Sequence, residues 1–402
     1  MRSLGKVGWQ TKTLGEVCQF RGGGTPSKAV DRYWRGNIPW VSPKDMKFDV
    51  VSDSIDHISR EAIDGSATSM IPQGSVLVVV RSGILARIVP IAVTGRELTI
   101  NQDLKALCPD GTVDAMFLYH LLHSKMDDLL GMVSRGATVH RLMTEQIRSL
   151  SFILPPLPEQ RRIVGILDEA FEGIATAKAN AEKNLQNARA LFESHLQSVF
   201  TQRGKGWEET TIDECIKFID YRGKTPEKTA SGLRLVTAKN VKMGFLQEEP
   251  MEFVAPETYG PWMTRGIPRK GDVLFTTEAP LANVAQLDTA DKVVFAQRII
   301  IMQPDAHRLD STFLKYLLLS QPIQQRIHAK GTGATVKGIK ARLLKTVEIS
   351  FPKNIAEQRN IVAVLDSLSA ETDRLASIYQ QKLTALDELK KSLLHQAFSG
   401  EL

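Results

Sequence analysis

Glu159-Gln160-Arg161-Arg162-Ile163-Val164-Gly165-Ile166-Leu167-Asp168 returns at positions 357 to 366 as Glu357-Gln358-Arg359-Asn360-Ile361-Val362-Ala363-Val364-Leu365-Asp366, an offset of 198. Each phrase opens a proline-free stretch, 159 to 200 and 357 to 398, in which apolar residues recur every three or four positions. That period predicts a helix with one apolar face. Ile163, Leu167, Ile174, Leu185 and Phe192 lie on the first stripe, and Ile361, Leu365, Leu375, Leu383 and Leu386 on the second. At ~1.5 Å per residue each helix runs about 60 Å, longer than a compact domain needs. A lone helix of this kind leaves its stripe in water, so the simplest arrangement pairs the two antiparallel as a coiled-coil-like spacer. Pro155, Pro156 and Pro158 precede the first helix, Asn354 with Glu357 resembles a capping box at the second, and Gly204 and Gly400 lie just past the ends.

Outward from these phrases the repetition continues in order. Trp9, Leu14, Glu16 and Phe20 return as Trp207, Ile212, Glu214 and Phe218; Thr25-Pro26-x-Lys28 returns as Thr225-Pro226-x-Lys228; Val41-Ser42-Pro43-Lys44 returns as Val236-Thr237-Ala238-Lys239. Gly74-Ser75-Val76-Leu77 matches Gly271-Asp272-Val273-Leu274, and Gly136-Ala137-Thr138-Val139 is repeated unchanged as Gly333-Ala334-Thr335-Val336. One such match alone decides nothing; a collinear series is a tandem duplication. Before each long helix the sequence is rich in short β-branched runs punctuated by Gly and Pro, with one helix suggested by the spacing of Phe117, Leu118, Leu121 and Leu122 and of Phe313, Leu314, Leu317 and Leu318. The expected fold is α+β: two mixed α/β domains at 1–153 and 206–352, separated by a central helix at 154–205 and a distal helix at 353–402, with pseudo-twofold repetition.

A length of 402 residues suits two to four domains at roughly 100 to 200 residues each. Hydrophobic residues at 43% and charged residues at 24% indicate a chain that folds, and 51 Lys plus Arg against 45 Asp plus Glu suits an anionic partner without demanding one. Cys18, Cys108 and Cys215 are isolated, with no paired spacing for a disulfide framework or a thiolate metal site, and point to a reducing, cytoplasmic setting. No apolar run approaches the ~20 residues of a membrane span.

Chemistry-bearing motifs are missing. There is no GxxxxGK[ST] phosphate loop, and Arg21-Gly22-Gly23-Gly24-Thr25 lacks the context of a dinucleotide site, so a turn is the expected role of its glycines. The sole Pro-Pro, Pro155-Pro156, lacks the aromatic residue and cofactor-binding glycines of an adenine methyltransferase. His120 and His123 share a helical face, but no third ligand completes a metal shell and His123 aligns with Leu319. Neither a cofactor nor a catalytic residue is expected.

The phrase Leu154-Pro155-Pro156-Leu157-Pro158-Glu159-Gln160-Arg161-Arg162-Ile163-Val164 resembles the central conserved region of type I restriction-modification specificity subunits, and the copy from Glu357 resembles their distal one. The second copy departs in reading Pro352-Lys353-Asn354-Ile355-Ala356 where the first has Pro-Pro-Leu-Pro. The resemblance covers the whole chain. It implies two target recognition domains that each read half of a bipartite sequence in double-stranded DNA, with the helices fixing the unread spacer. It further implies two modification (methyltransferase) subunits, bringing adenine N6 methylation, and two ATP-dependent restriction subunits.

Donor-bearing side chains in the repeated loops are the candidate DNA contacts: Lys28, Lys44, Arg81, Arg135, Thr138, His140 and Arg141 in the first domain, and Arg222, Lys224, Lys228, Lys239, Asn240, Gln297, Arg298, Thr335, Lys337 and Lys340 in the second. Lysines suit phosphates; Arg, Gln and Asn can bond two atoms of a base edge at once. Two other readings compete with this one: a coiled-coil scaffold displaying two protein-binding domains, and an enzyme with an unrecognised site.

Overall fold

The computed structural model describes residues 8–136, 139–202, 204, 206–221, 226–333 and 335–402. Two compact units divide it: Met1–Ala181 with Gln381–Leu402, and Glu182–Gln380. Each unit therefore holds one strand-rich part and a portion of both long helices. The central helix spans Leu157–Thr201 and the distal helix Ile355–Ser399. Pro158 sits in the first turn of the central helix, where its missing N–H costs nothing. At the distal helix Asn354 Oδ1 accepts from the Ala356 N–H at 2.8 Å, and Gly400 closes the other end with φ +84°, a left-handed cap. None of the described helices is long and apolar enough to cross a membrane.

The strand-rich parts repeat one plan. In the first unit Cys18–Gly22, Leu104–Pro109, Val76–Val79, Ile91–Thr94 and Val50–Val51 form a five-stranded sheet in that order; in the second, Ile216–Asp220, Ile299–Pro304, Val273–Thr276 and Val284–Gln286 form a four-stranded one. Both units add a small mixed sheet, Asp56–Ile58, Ile38–Val41 and Thr99–Ile100 in one, Glu252–Val254, Leu233–Val236 and Val294–Phe295 in the other. Gln10–Thr13 pairs with Ser151–Leu154, as Trp207–Thr211 pairs with Glu348–Pro352, so the strand that ends each part leads into its long helix. The central strands Val76–Val79 and Val273–Thr276 are buried along their whole length, which explains their unalternating apolar runs.

Three glycines expected to form a turn do something else. Gly22 ends a strand, and the chain continues against the Ile100–Asn101 backbone so closely that a Cβ on Gly23 would lie 2.0 Å from the Ile100 carbonyl oxygen. Glycine is needed there for close approach of two backbones.

The repeated Glu-Gln-Arg phrase carries the joint between helix and domain. Gln160 is fully buried: its oxygen accepts from the Asp114 N–H at 2.7 Å, and its amide donates to the carbonyls of Thr112 at 3.0 Å and Pro155 at 2.8 Å. Gln358, also fully buried, accepts from the Asp310 N–H at 2.7 Å and donates to Arg308 O at 2.8 Å and Pro352 O at 2.7 Å. Asp114 and Asp310 in turn cap the helices Ala115–Ser124 and Ser311–Leu319, each accepting from two backbone N–H groups of the first turn. Three turns into each long helix a carboxylate meets these short helices: Asp168 bonds His120 Nε2 at 2.9 Å, and Asp366 accepts from the Tyr316 hydroxyl at 2.5 Å.

The apolar stripes bury mostly against domain cores. Ile163, Leu167, Leu394 and Ala397 belong to the core of the first unit, where Phe398 meets Phe117 at 5.1 Å between ring centres. Leu196, Phe200 and Leu365 belong to a core of the second, against which Phe192 and Ile361 pack half-buried. Ile174 is buried, whereas Leu185, Leu375, Leu383 and Leu386 are half-buried. In the first unit Arg162 donates to Leu402 O at 3.2 Å and Lys178 pairs with Asp387, which fixes the antiparallel sense of the two helices.

Two outcomes are expected. Gln160→Ala or Gln358→Ala leaves one buried and two part-buried backbone groups without their partner, at about 1 to 3 kcal/mol for the buried one and less for each of the others, so either lowers the unfolding free energy by about 2 to 5 kcal/mol in urea denaturation; a loss below 1 kcal/mol would count against the joint. His123 faces Tyr119 at 4.5 Å between ring centres, and burial holds its imidazole near about 4, below its ordinary 6.5. A folded state that binds its proton less readily than the unfolded one is fully stable above pH 6.5 and weakens as pH falls toward 4. His123→Leu, the residue of the second copy, should shrink the stability lost between pH 7 and pH 5; an equal loss in both proteins excludes this origin.

Candidate nucleic-acid interface

In each unit the chain on either side of the Gly-Ala-Thr-Val phrase pairs with itself and with the residues that follow a central strand of the main sheet. In the first, Arg81–Ser82 pairs antiparallel with His140–Arg141, Ser134 bridges Arg141, and the Leu142 N–H donates to Val80 O at 2.9 Å. In the second, Gly338 bridges both Glu278 and Thr332, and the Ile339 N–H donates to Thr277 O at 2.9 Å. The base of the loop is thus held alike in both copies.

In the first unit charged side chains gather at the end of that strand. Arg81 lies directly opposite Arg141 in the ladder, and its Nε is 3.3 Å from Asp103 Oδ1. Cations facing each other across an antiparallel pair repel, and the one carboxylate neutralises half of that charge. Arg135 and Arg141 are exposed; His140 is half-buried, with a buried Nδ1 that has no hydrogen-bond partner among the described residues. The Thr25 hydroxyl reaches the Gln102 side chain beside Asp103, which brings the loop carrying exposed Lys28 to the same place.

In the second unit Arg298 Nε is 2.9 Å from Glu278 Oε1, and these two residues with Gln297, Thr332, Gly338 and Lys340 line an open hollow of about 290 Å³. Arg298 has φ +77°, a left-handed backbone that a non-glycine residue holds at a cost of about 1 to 3 kcal/mol. Thr335, Lys337 and Lys340 are exposed on the loop. Thr138, Arg222 and Lys224 lie outside the described residues.

The remaining candidates lie in turns and loops beside the small mixed sheets. Lys44 bonds Asp56 at 2.6 Å, Lys228 bonds Glu252 at 2.8 Å, and Lys239 is exposed. Asn240 requires a correction. It is 1% exposed; its oxygen accepts from the Thr237 N–H and hydroxyl, and its amide donates to the carbonyls of Gln247, Glu248 and Pro250 at 3.1 Å each. Nothing of that side chain is left to offer DNA, and its place is inside the loop it organises. Asp45 does the same turn-forming work in the first unit, accepting from the Ser42 N–H and hydroxyl at 2.9 Å.

The helical pair His120 and His123 holds no metal shell: among the described residues no group of three His, Cys, Asp or Glu side chains is placed to bind one. The His120 ring is spent on Asp168 and on Phe171, 5.5 Å away between ring centres.

A family model described as the type I restriction modification DNA specificity domain matches residues 6–186 and again 205–385, one match for each copy of this plan. The chain belongs to that family. The specificity subunit of the type I restriction enzyme EcoR124I/EcoR124II from Escherichia coli is 41% identical over 167 residues, 41% of this chain and 41% of that protein. The MjaIX specificity subunit of Methanocaldococcus jannaschii is 25% identical over 61% of this chain and 59% of its own length, so the matches span less than two thirds of these two relatives. The MjaVIII specificity subunit of the same organism is 21% identical over 98% of this chain and 93% of its own. In fold, the chain superposes on the HsdS subunit from Thermoanaerobacter tengcongensis with a TM-score of 0.62 over 98% of both, and on a chain from a type I R-M system, solved for its assembly and conformational transition, with a TM-score of 0.78 over 99% of both; each is 19% identical.

Within these specificity domains, the acidic halves of the ion pairs, Asp103 and Glu278, escaped the sequence reading because cationic and amide donors alone were sought. The signal was present: aligning Gly74-Ser75-Val76 with Gly271-Asp272-Val273 sets Arg81 over Glu278. Asn240→Asp should lower stability by about 2 to 4 kcal/mol in thermal or urea unfolding, since a carboxylate then faces three carbonyl oxygens without a proton to donate; a neutral effect would return Asn240 to the list of surface candidates.

Proposed function

We propose that this chain is the DNA-reading subunit of a type I restriction-modification complex. The strand-rich parts at 1–153 and 206–352 each bind one half of a bipartite site in double-stranded DNA, and the helices at 154–205 and 353–402 set the unread spacer. The chain carries no catalytic residue and no cofactor of its own. It directs two methyltransferase subunits to adenine N6 and two ATP-dependent restriction subunits to cleavage, in the cytoplasm.

The observation that carries this reading is the repeated loop at the end of a central strand, where Arg81, Arg135 and Arg141 stand in one domain and Arg298, Lys337 and Lys340 in the other. An excess of cations with exposed amide and guanidinium donors is what phosphate positioning and base-edge reading both require. Membership of the specificity-domain family supports it as well.

The test is to co-express the chain with its modification subunit and sequence host DNA for N6-methyladenine. Methylation confined to one bipartite motif, and only when this chain is present, is the expected result. A folded complex that binds S-adenosylmethionine yet adds no methylation would favour the scaffold alternative.

A further inference from the structure

The two ion pairs beneath the loops are the same pair with its charges exchanged. Val79 pairs with Leu104 in the first unit, and Thr276 with Ile299 in the second, so the residues just before Leu104 and Ile299 correspond: Asp103 and Arg298. Two residues after Val79 and Thr276 stand Arg81 and Glu278, which also correspond. The backbone agrees, because Asp103 O accepts from the Val80 N–H at 2.8 Å and Arg298 O from the Thr277 N–H at 2.9 Å. Arginine thus comes from the end of the central strand in one domain and from the facing turn in the other. Its side chain is nevertheless exposed to the same degree, 48% for Arg81 and 47% for Arg298.

We infer that Arg81 and Arg298 are equivalent specificity-determining residues, each reading an acceptor edge of a base, such as guanine, at one position of its half-site. A half-exposed ion pair is worth about 0 to 1 kcal/mol, enough to orient a guanidinium and little enough to be exchanged for another acceptor. Arginine's fork matches two acceptors on one base edge, which a structural salt bridge does not need. The left-handed backbone at Arg298 and the repulsion of Arg81 by Arg141 are both costs that stability alone gives no reason to keep. Swapping the sign of the pair keeps the loop anchored while moving the arginine's point of origin, and therefore the base it reaches.

This inference rests on the DNA-reading proposal, and the same methylation assay separates the two. Arg81→Glu with Asp103→Arg gives the first domain the second domain's arrangement. It should keep the wild-type melting temperature and change the methylated motif at one position of one half-site, with on the order of 10- to 100-fold altered discrimination there. Arg298→Lys, which keeps the charge and loses the fork, should relax one position of the other half-site by a similar factor. A wild-type motif in both variants overturns the inference, whether yield is uniformly lower, as a phosphate contact predicts, or unchanged, as a purely structural pair predicts. A wild-type complex that methylates no defined motif overturns the DNA-reading proposal and the inference together.

Discussion

A glutamine side chain buried in a protein brings two donor hydrogens and an acceptor oxygen, and all of them have to be used. Gln160 and Gln358 meet that demand with three backbone groups each, taken from the strand end just before the long helix and from the loop that leads into the short capped helix. Once the amide is seated, the rotation of the long helix is set. Ile163 and Leu167, one and two turns on, enter the first core, and Leu365 enters a core of the second unit. Asp168 and Asp366 then arrive opposite His120 and Tyr316. The order of dependence runs from one amide to the helix face and from there to the domain core.

Duplication has kept geometry and let side-chain chemistry drift. A histidine in one copy and a tyrosine in the other both satisfy the same aspartate, and burial pushes the His120 imidazole down while it pushes the Tyr316 phenol up. Either ring stays neutral and still supplies a hydrogen-bonding edge. Asp45 and Asn240 share a turn in the same way, one as carboxylate and one as amide, because the acceptor oxygen is the part both turns use.

Period and repetition made the long helices, the two copies and their β-rich parts legible in sequence, since these are properties of neighbouring residues. What covers a helix is not. The stripe through Ile163 and Leu167 announced burial against the other helix; the core that takes those residues joins Leu394 and Ala397 of that helix to strands and a short helix far away in the chain. Candidate contacts divided along the same line. Arg81 and Arg141 are 60 residues apart and meet only through strand register, and Asn240 looked like a free surface donor because its three carbonyl partners fold over it from a loop.

The joint at Gln160 and Gln358 asks nothing of its neighbours' side chains. Its partners are main-chain groups, which almost any sequence can supply, and the Asp caps beside it are equally generic. A strand-rich part with an entirely different set of surface residues could seat on the same helix without altering a single bond of the socket. Such a chain is a chuck that accepts new bits: selection can rewrite what one end recognises while the fitting that holds it stays unchanged.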